Sequence, residues 1–208
     1  MNRIIVTLIL CGVSMQAESV GGKPGQRVTV YVDDKAKLPS DIVWRATAIA
    51  SGIFQTMGIH IEWKAGRPRG ANPEDAGCAH GDERPIAVTI HAFAPGNDSG
   101  GWAYANLRTG AINVFYDRIR YALMNTPRRV QICLGFTLAH EVAHVLQTVG
   151  RHADSGILKA KWTQSDFHEM EAGTLVFTTA DIRLIQYGAV SQSCPVPTVV
   201  ASQSVTEK

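Results

Sequence analysis

The residues with the clearest capacity for chemistry are His140-Glu141-Val142-Ala143-His144. Two imidazoles four positions apart project from one face of a helix, so both reach a single ion at the roughly 2.0–2.1 Å of a Zn–N bond. Glu141 is rotated by about 100° from His140, which sets its carboxylate beside the ion, where it holds a water by hydrogen bond instead of ligating. A zinc ion in that setting acidifies the water and polarises a carbonyl, while Glu141 takes the water's proton and delivers it to the leaving amine. The pattern therefore predicts hydrolysis at neutral pH, with Zn2+ as cofactor and Glu141 as general base.

A catalytic zinc needs a third protein ligand and an open position. Downstream of His144, Gly150 can reverse the chain and return His152 toward the metal, so His152 is the leading candidate. Asp154 in a looser geometry, and Glu169 or Glu171 from a following helix, are the alternatives. Cys78 and His80 form a Cys-x-His pair in a Gly/Pro-rich loop without further ligands, and that pair reads as incidental. His60 and His91 fall in strand patterns and His168 in a helix, all three as structural residues. Cys133 stands about 10 Å before His140 along the helix axis, outside any ligand sphere, and reads as packed or paired.

These residues need a helix to carry them. Asn125-Thr126-Pro127 offers a capping residue before a proline at the first helical position, and the segment runs to about Val149, where Gly150 can supply a left-handed end. Leu134, Leu138, Val142, Val145 and Val149 form its apolar stripe. Gly135 inside it costs about 1 kcal/mol relative to alanine, which predicts a close approach by a neighbour.

Upstream, Arg27 to Val32 alternates as a half-buried strand, and a helix starting at Pro39-Ser40-Asp41 places Ile42, Ala46, Ile49, Ile53 and Met57 at helical spacing before Gly58. Strands follow at Ile59–Trp63, Ile86–Phe93 and Ala111–Tyr116, with a long loop from Gly66 to Gly81 and a short extended piece at Trp102–Ala105. Ser165–Gly173 and Thr179–Tyr187 are helical in pattern. The expectation is an α+β fold: a mixed, twisted sheet of about five strands, an active-site helix and C-terminal helices.

The chain has 208 residues and is 45% apolar, enough for one domain with its own core. Its 20 basic and 18 acidic residues form no single-sign blocks, which argues against a nucleic-acid partner. Residues 1–19 have the layout of a signal peptide, with Arg3, an apolar run from Ile4 to Met15, and small residues at Ala17 and Ser19. That run is well short of the roughly 20 residues that span a bilayer, so no stable membrane span is expected after its removal, and the product is secreted or periplasmic. Residues 20–194 are then one domain and 195–208 a loose tail. Loss of the leader removes Cys11 and leaves Cys78, Cys133 and Cys194, which allow at most one bridge in three possible pairings.

From about Arg27 to Trp162 the chain resembles the metzincin-like zinc peptidases. It is similar in particular to small exported proteins in which the HExxH helix is followed by a histidine, a Gly-Ile-Met segment and a tryptophan. The matching residues are His140-Glu141, His144, His152, Gly156-Ile157-Leu158 and Trp162. The order strand, helix, strand, strand, edge strand, strand, active-site helix is also similar. The resemblance implies a zincin-like fold, His140, His144 and His152 as zinc ligands and Glu141 as base. It also implies a peptide or protein substrate lying extended along an edge strand near Trp102–Ala105.

Two departures stand out. The usual glycine is three residues after the second histidine and the third histidine three beyond it, whereas Gly150 is six after His144 and His152 two later. That spacing predicts a helix about one turn longer. Leu158 occupies the place of the methionine under the metal, a swap of similar volume that costs under about 1.5 kcal/mol. No tyrosine follows at a matching position. Trp102 and Tyr104, beside Gly100-Gly101, read equally as groove lining or core cover. Two other readings stand beside the peptidase: a zinc-binding interaction module with a closed four-ligand site, and a zinc hydrolase of a non-peptide amide.

Overall fold

The computed structural model describes residues 26–68, 85–96, 100–124 and 126–191. The expected leader 1–19, Cys78 and His80, Asn125, Cys194 and the expected loose tail 195–208 lie outside the described residues.

Among the described residues ten elements follow in order: β1 (Gln26–Asp34), α1 (Ser40–Gln55), β2 (Ile59–Ala65), β3 (Ile86–His91), β4 (Ala103–Asn106), β5 (Ala111–Phe115), α2 (Tyr116–Ala122), α3 (Pro127–Gln147), α4 (Gln164–Ala172) and α5 (Thr179–Ser191). The strands form one mixed sheet in the order β2-β1-β3-β5-β4, parallel except for β4, which runs antiparallel to β5 at the edge. Alternation decides which face is buried: Val28, Val30 and Val32 of β1, Ile86, Val88 and Ile90 of β3, and Ile112 and Val114 of β5 all point into the core. Register aligns them laterally, as in Val32↔Val88 and Val88↔Ile112, so the strands present a continuous apolar surface to the helices. The α+β class and the five-stranded mixed sheet agree with the sequence expectation, and most element ends fall within two residues of it.

Three features depart from that expectation. First, α3 has no single apolar stripe, because every residue from Cys133 to Gln147 is buried, the polar Thr137, His140, Glu141, His144 and Gln147 included. The helix runs between α1, α4 and α5 and beneath the sheet, so it is core on all sides. Second, α3 stops at Gln147, and Thr148 takes the left-handed conformation with φ 56°, whereas Gly150 has no positive φ. The helix is therefore not a full turn longer, Val149 lies beyond it at 41% exposure, and the extra residues before His152 fall in the connection. Third, α2 was not anticipated: at 7 residues it spans less than two turns, too short for a 3.6-residue period to declare itself.

Gly135 does what its position predicts. A Cβ there would stand 2.8 Å from Ile49 Cβ and 2.9 Å from the Ala46 carbonyl oxygen, so the glycine lets α1 and α3 approach closely. Gly135→Ala sets two effects against each other: about 1 kcal/mol of gained helix propensity against an overpacking cost of about 1–3 kcal/mol, with a backbone oxygen on one side that has nowhere to go. Overpacking wins, and the variant is expected to unfold at lower denaturant concentration than wild type. A raised midpoint would show that α1 gives way at Ile49.

Candidate metal centre

The second half of α3 brings His140, Glu141 and His144 into the interior at 8%, 7% and 6% exposure. Buried imidazoles need partners, and two backbone carbonyls provide them. His140 Nδ1 donates to the Ile157 carbonyl at 2.8 Å, and His144 Nδ1 to that of Val149 at 3.4 Å. A carbonyl only accepts, so each hydrogen sits on Nδ1 and each lone pair on Nε2. The two Nε2 atoms are 3.0 Å apart. Two lone pairs facing each other at that distance repel unless a cation lies against them.

No proton fills that role near neutral pH. Burial, reinforced by the neighbouring His144, pushes His140 down to about 3, and burial together with His152 pushes His144 down to about 4. Burial has the opposite sign on a carboxyl and pushes Glu141 up to about 7.

The connection after α3 carries His152 to this pair. Its ring centroid lies 5.4 Å from that of His140 and 4.9 Å from that of His144. One ring nitrogen from each of the three lies within 4.8 Å of the others, and no other such group of three occurs among the described residues. Ligand atoms around a tetrahedral zinc with ~2.1 Å bonds are about 3.4 Å apart, so three imidazoles at this separation suit one zinc ion. His152 is exposed where its two neighbours are buried, so the group opens to solvent on that side. Asp154, Glu169 and Glu171 do not join it; Glu171 is ion-paired with Arg129 instead.

A tight turn lies beneath the group. Gly156 has φ 76°, and a Cβ there would run into the Val176 carbonyl oxygen. Ile157 N–H donates to that same oxygen at 3.0 Å, and Ala153 N–H to the Leu158 carbonyl at 2.8 Å. Ile157 and Leu158 are fully buried, so leucine at 158 packs without a polar role. Trp162 Nε1 donates to the Ile157 carbonyl at 3.2 Å, sharing the acceptor that orients His140, and its ring meets His140 edge-on at 5.5 Å. Trp102 joins the same wall, 5.9 Å from Trp162 and stacked 6.0 Å from Phe167, and is partly buried against the core. Tyr104 on β4 is 49% exposed and leans on Phe115.

Among the described residues, the remaining histidines stay apart from the group. His91 Nε2 pairs with Asn113 Oδ1 at 2.8 Å, His168 contacts Gln164, and His60 is exposed on β2. Cys133 is a buried free thiol whose pKa burial pushes up, so it packs. Sequence reasoning missed Asp181, which is fully buried and accepts from Arg151 Nη2. Its signal was present as Thr178-x-x-Asp181, a helix-start pattern repeated at Thr163-x-x-Asp166, where it forms a complete capping box.

No protein-family model matches the sequence, and no curated protein matches it either. The fold is similar to that of a zinc-dependent peptidase from Methanocorpusculum labreanum (strain Z), with a TM-score of 0.52 and 10% identity over 75% of this chain and 99% of that one. It is also similar to archaemetzincin from Methanopyrus kandleri, with a TM-score of 0.52 and 15% identity over 80% of this chain and 98% of that one. At such identities the likeness is one of fold.

The buried neutral histidines tie stability to pH. In chelator-treated protein the imidazoles titrate near 6.5 when unfolded and near 3 and 4 when folded. Below about pH 6.5 the unfolded chain therefore binds more protons, and the fold loses stability as pH falls. Glu141 works in the opposite sense between about 7 and 4.5, but one carboxyl does not outweigh two imidazoles. Thermal melts are expected to drop from pH 6.5 to 4.5, and more steeply in Glu141→Gln. A flat profile in both proteins would contradict neutral, buried imidazoles.

Proposed function

We propose that the protein is a zinc-dependent metallopeptidase, with His140, His144 and His152 as zinc ligands and Glu141 as general base. The observation that carries this reading is the convergence of two Nε2 lone pairs, 3.0 Å apart and held by carbonyl-bound Nδ1 atoms, with a third imidazole alongside. The similarity of fold to zinc-dependent peptidases supports it.

Bound zinc supplies a Lewis acid that acidifies water and polarises the scissile carbonyl. Glu141, next to His140 on α3, accepts the proton of the attacking water and returns it to the leaving nitrogen as the C–N bond breaks. Its buried setting favours the protonated form and pushes the carboxyl up to about 7, which keeps it exchanging protons near neutrality. Ile157 and Val149 hold the two buried imidazoles in the tautomer that keeps Nε2 free. An extended peptide pairs with the outer edge of β4, which among the described residues is bonded only to β5. The leader at 1–19 supports export to the periplasm or beyond the cell.

A zinc-binding interaction module would need a closed, four-ligand site. The group found among the described residues has three members and an exposed side, which favours the enzyme. Glu141→Gln separates the two readings: it is expected to keep one zinc per chain while kcat/KM on a peptide library falls about 100- to 10,000-fold. Undiminished hydrolysis in that variant would falsify the mechanism. His152→Ala is expected to lower zinc stoichiometry after dialysis, and full retention would remove His152 from the ligand set.

A further inference from the structure

The connection from His144 to His152 is two residues longer than in the metzincin-like pattern, and the extra residues lie outside the helix. A longer arm has more conformations to lose before its last residue reaches a fixed point. His152 is exposed, so burial does not hold it. Ala153, just beyond, is tied to Leu158. On the near side the tie is Arg151, whose Nη2 donates to Asp181 Oδ1.

Asp181 is no passing surface partner. It is 0% exposed, and its second carboxylate oxygen accepts from Thr178 Oγ1 at 2.6 Å and from the Thr178 N–H at 3.2 Å, which fixes the start of α5. Its main-chain carbonyl accepts from Gln147 Nε2 at 3.4 Å. Gln147 is the last residue of α3 and Arg151 the residue before His152, so one aspartate grips the arm at both ends. An exposed ion pair contributes little, but here the acid is buried, and Arg151 supplies the cation that faces its Oδ1.

We propose that Arg151 and Asp181 are positioning residues for His152, a latch that sets the third zinc ligand against His140 and His144 despite the lengthened connection. The inference rests on the zinc reading above. The latch binds no metal itself and acts through His152.

The test is zinc affinity, measured by competition with a chromophoric chelator on full-length protein. Arg151→Ala is expected to weaken zinc binding about 10- to 100-fold, the range found when an outer partner of a metal ligand is lost. Arg151→Lys, which keeps the charge, is expected to recover much of that loss. In a His152→Ala background, Arg151→Ala should change affinity by less than about twofold, because the ligand it positions is already gone. An equal loss in both backgrounds would mean a general structural effect and would overturn the latch, as would wild-type affinity in Arg151→Ala. Asp181→Asn keeps the shape of the α5 cap while removing the charge, and is expected to behave like Arg151→Ala; it serves if that variant does not fold. Failure of the zinc reading is visible separately as equal zinc binding by wild type and His140→Ala, a result that would overturn both.

Discussion

Two nitrogen lone pairs forced together inside a hydrophobic core are the constraint around which this structure is arranged. His140 and His144 are buried, neutral and fixed in one tautomer by the carbonyls of Ile157 and Val149. Each carbonyl belongs to a segment downstream of α3, so the imidazoles are oriented only once the chain has turned and come back beneath the helix. That dependence accounts for the turn at Gly156, where no side chain fits under Val176, and for Trp162, which shares the Ile157 carbonyl and walls off one side of His140.

The same helix is the middle of the hydrophobic core. Leu134, Leu138, Val142 and Leu146 are wholly buried, and polar residues interleaved with them are buried almost as deeply. Polar groups in such a place cost free energy unless they are hydrogen-bonded. Thr137 satisfies its hydroxyl on the Cys133 carbonyl one turn back, and Gln147 reaches the backbone of α5. The apolar members give the rigidity that would hold the proposed ligand set in place, and the polar members include its proposed ligands and base. Glu141 is the one acid in this stretch, and its burial moves it toward the pKa that suits a proposed general base.

The three imidazoles are not equivalent. Two come from a rigid helix and are buried, while the third comes from a connection and is exposed. This asymmetry gives the proposed site an open side at His152, while the aromatic cluster of Trp102, Trp162 and Phe167 reaches the buried His140 through Trp162. It also makes the third position the one that depends most on tertiary ties, with Arg151 held by Asp181 on one side and Ala153 by Leu158 on the other.

By itself the sequence determined what repeats locally. Alternating β-branched residues declared the strands, a proline after Thr126 marked the start of α3, and residues four apart placed His140 and His144 on one side of it. Gly135 announced a close helix crossing, because a glycine mid-helix has a cost that something must offset. Only the tertiary structure decided how α3 ends, that it is buried all round, and that His152 joins the pair while Asp154, Glu169 and Glu171 do not. The reason is range: periodicity reports contacts within a turn or two, whereas the tie that orients His140 and the one that holds the arm before His152 join residues 17 and 30 positions apart. Those depend on how the layers pack, which no local pattern encodes.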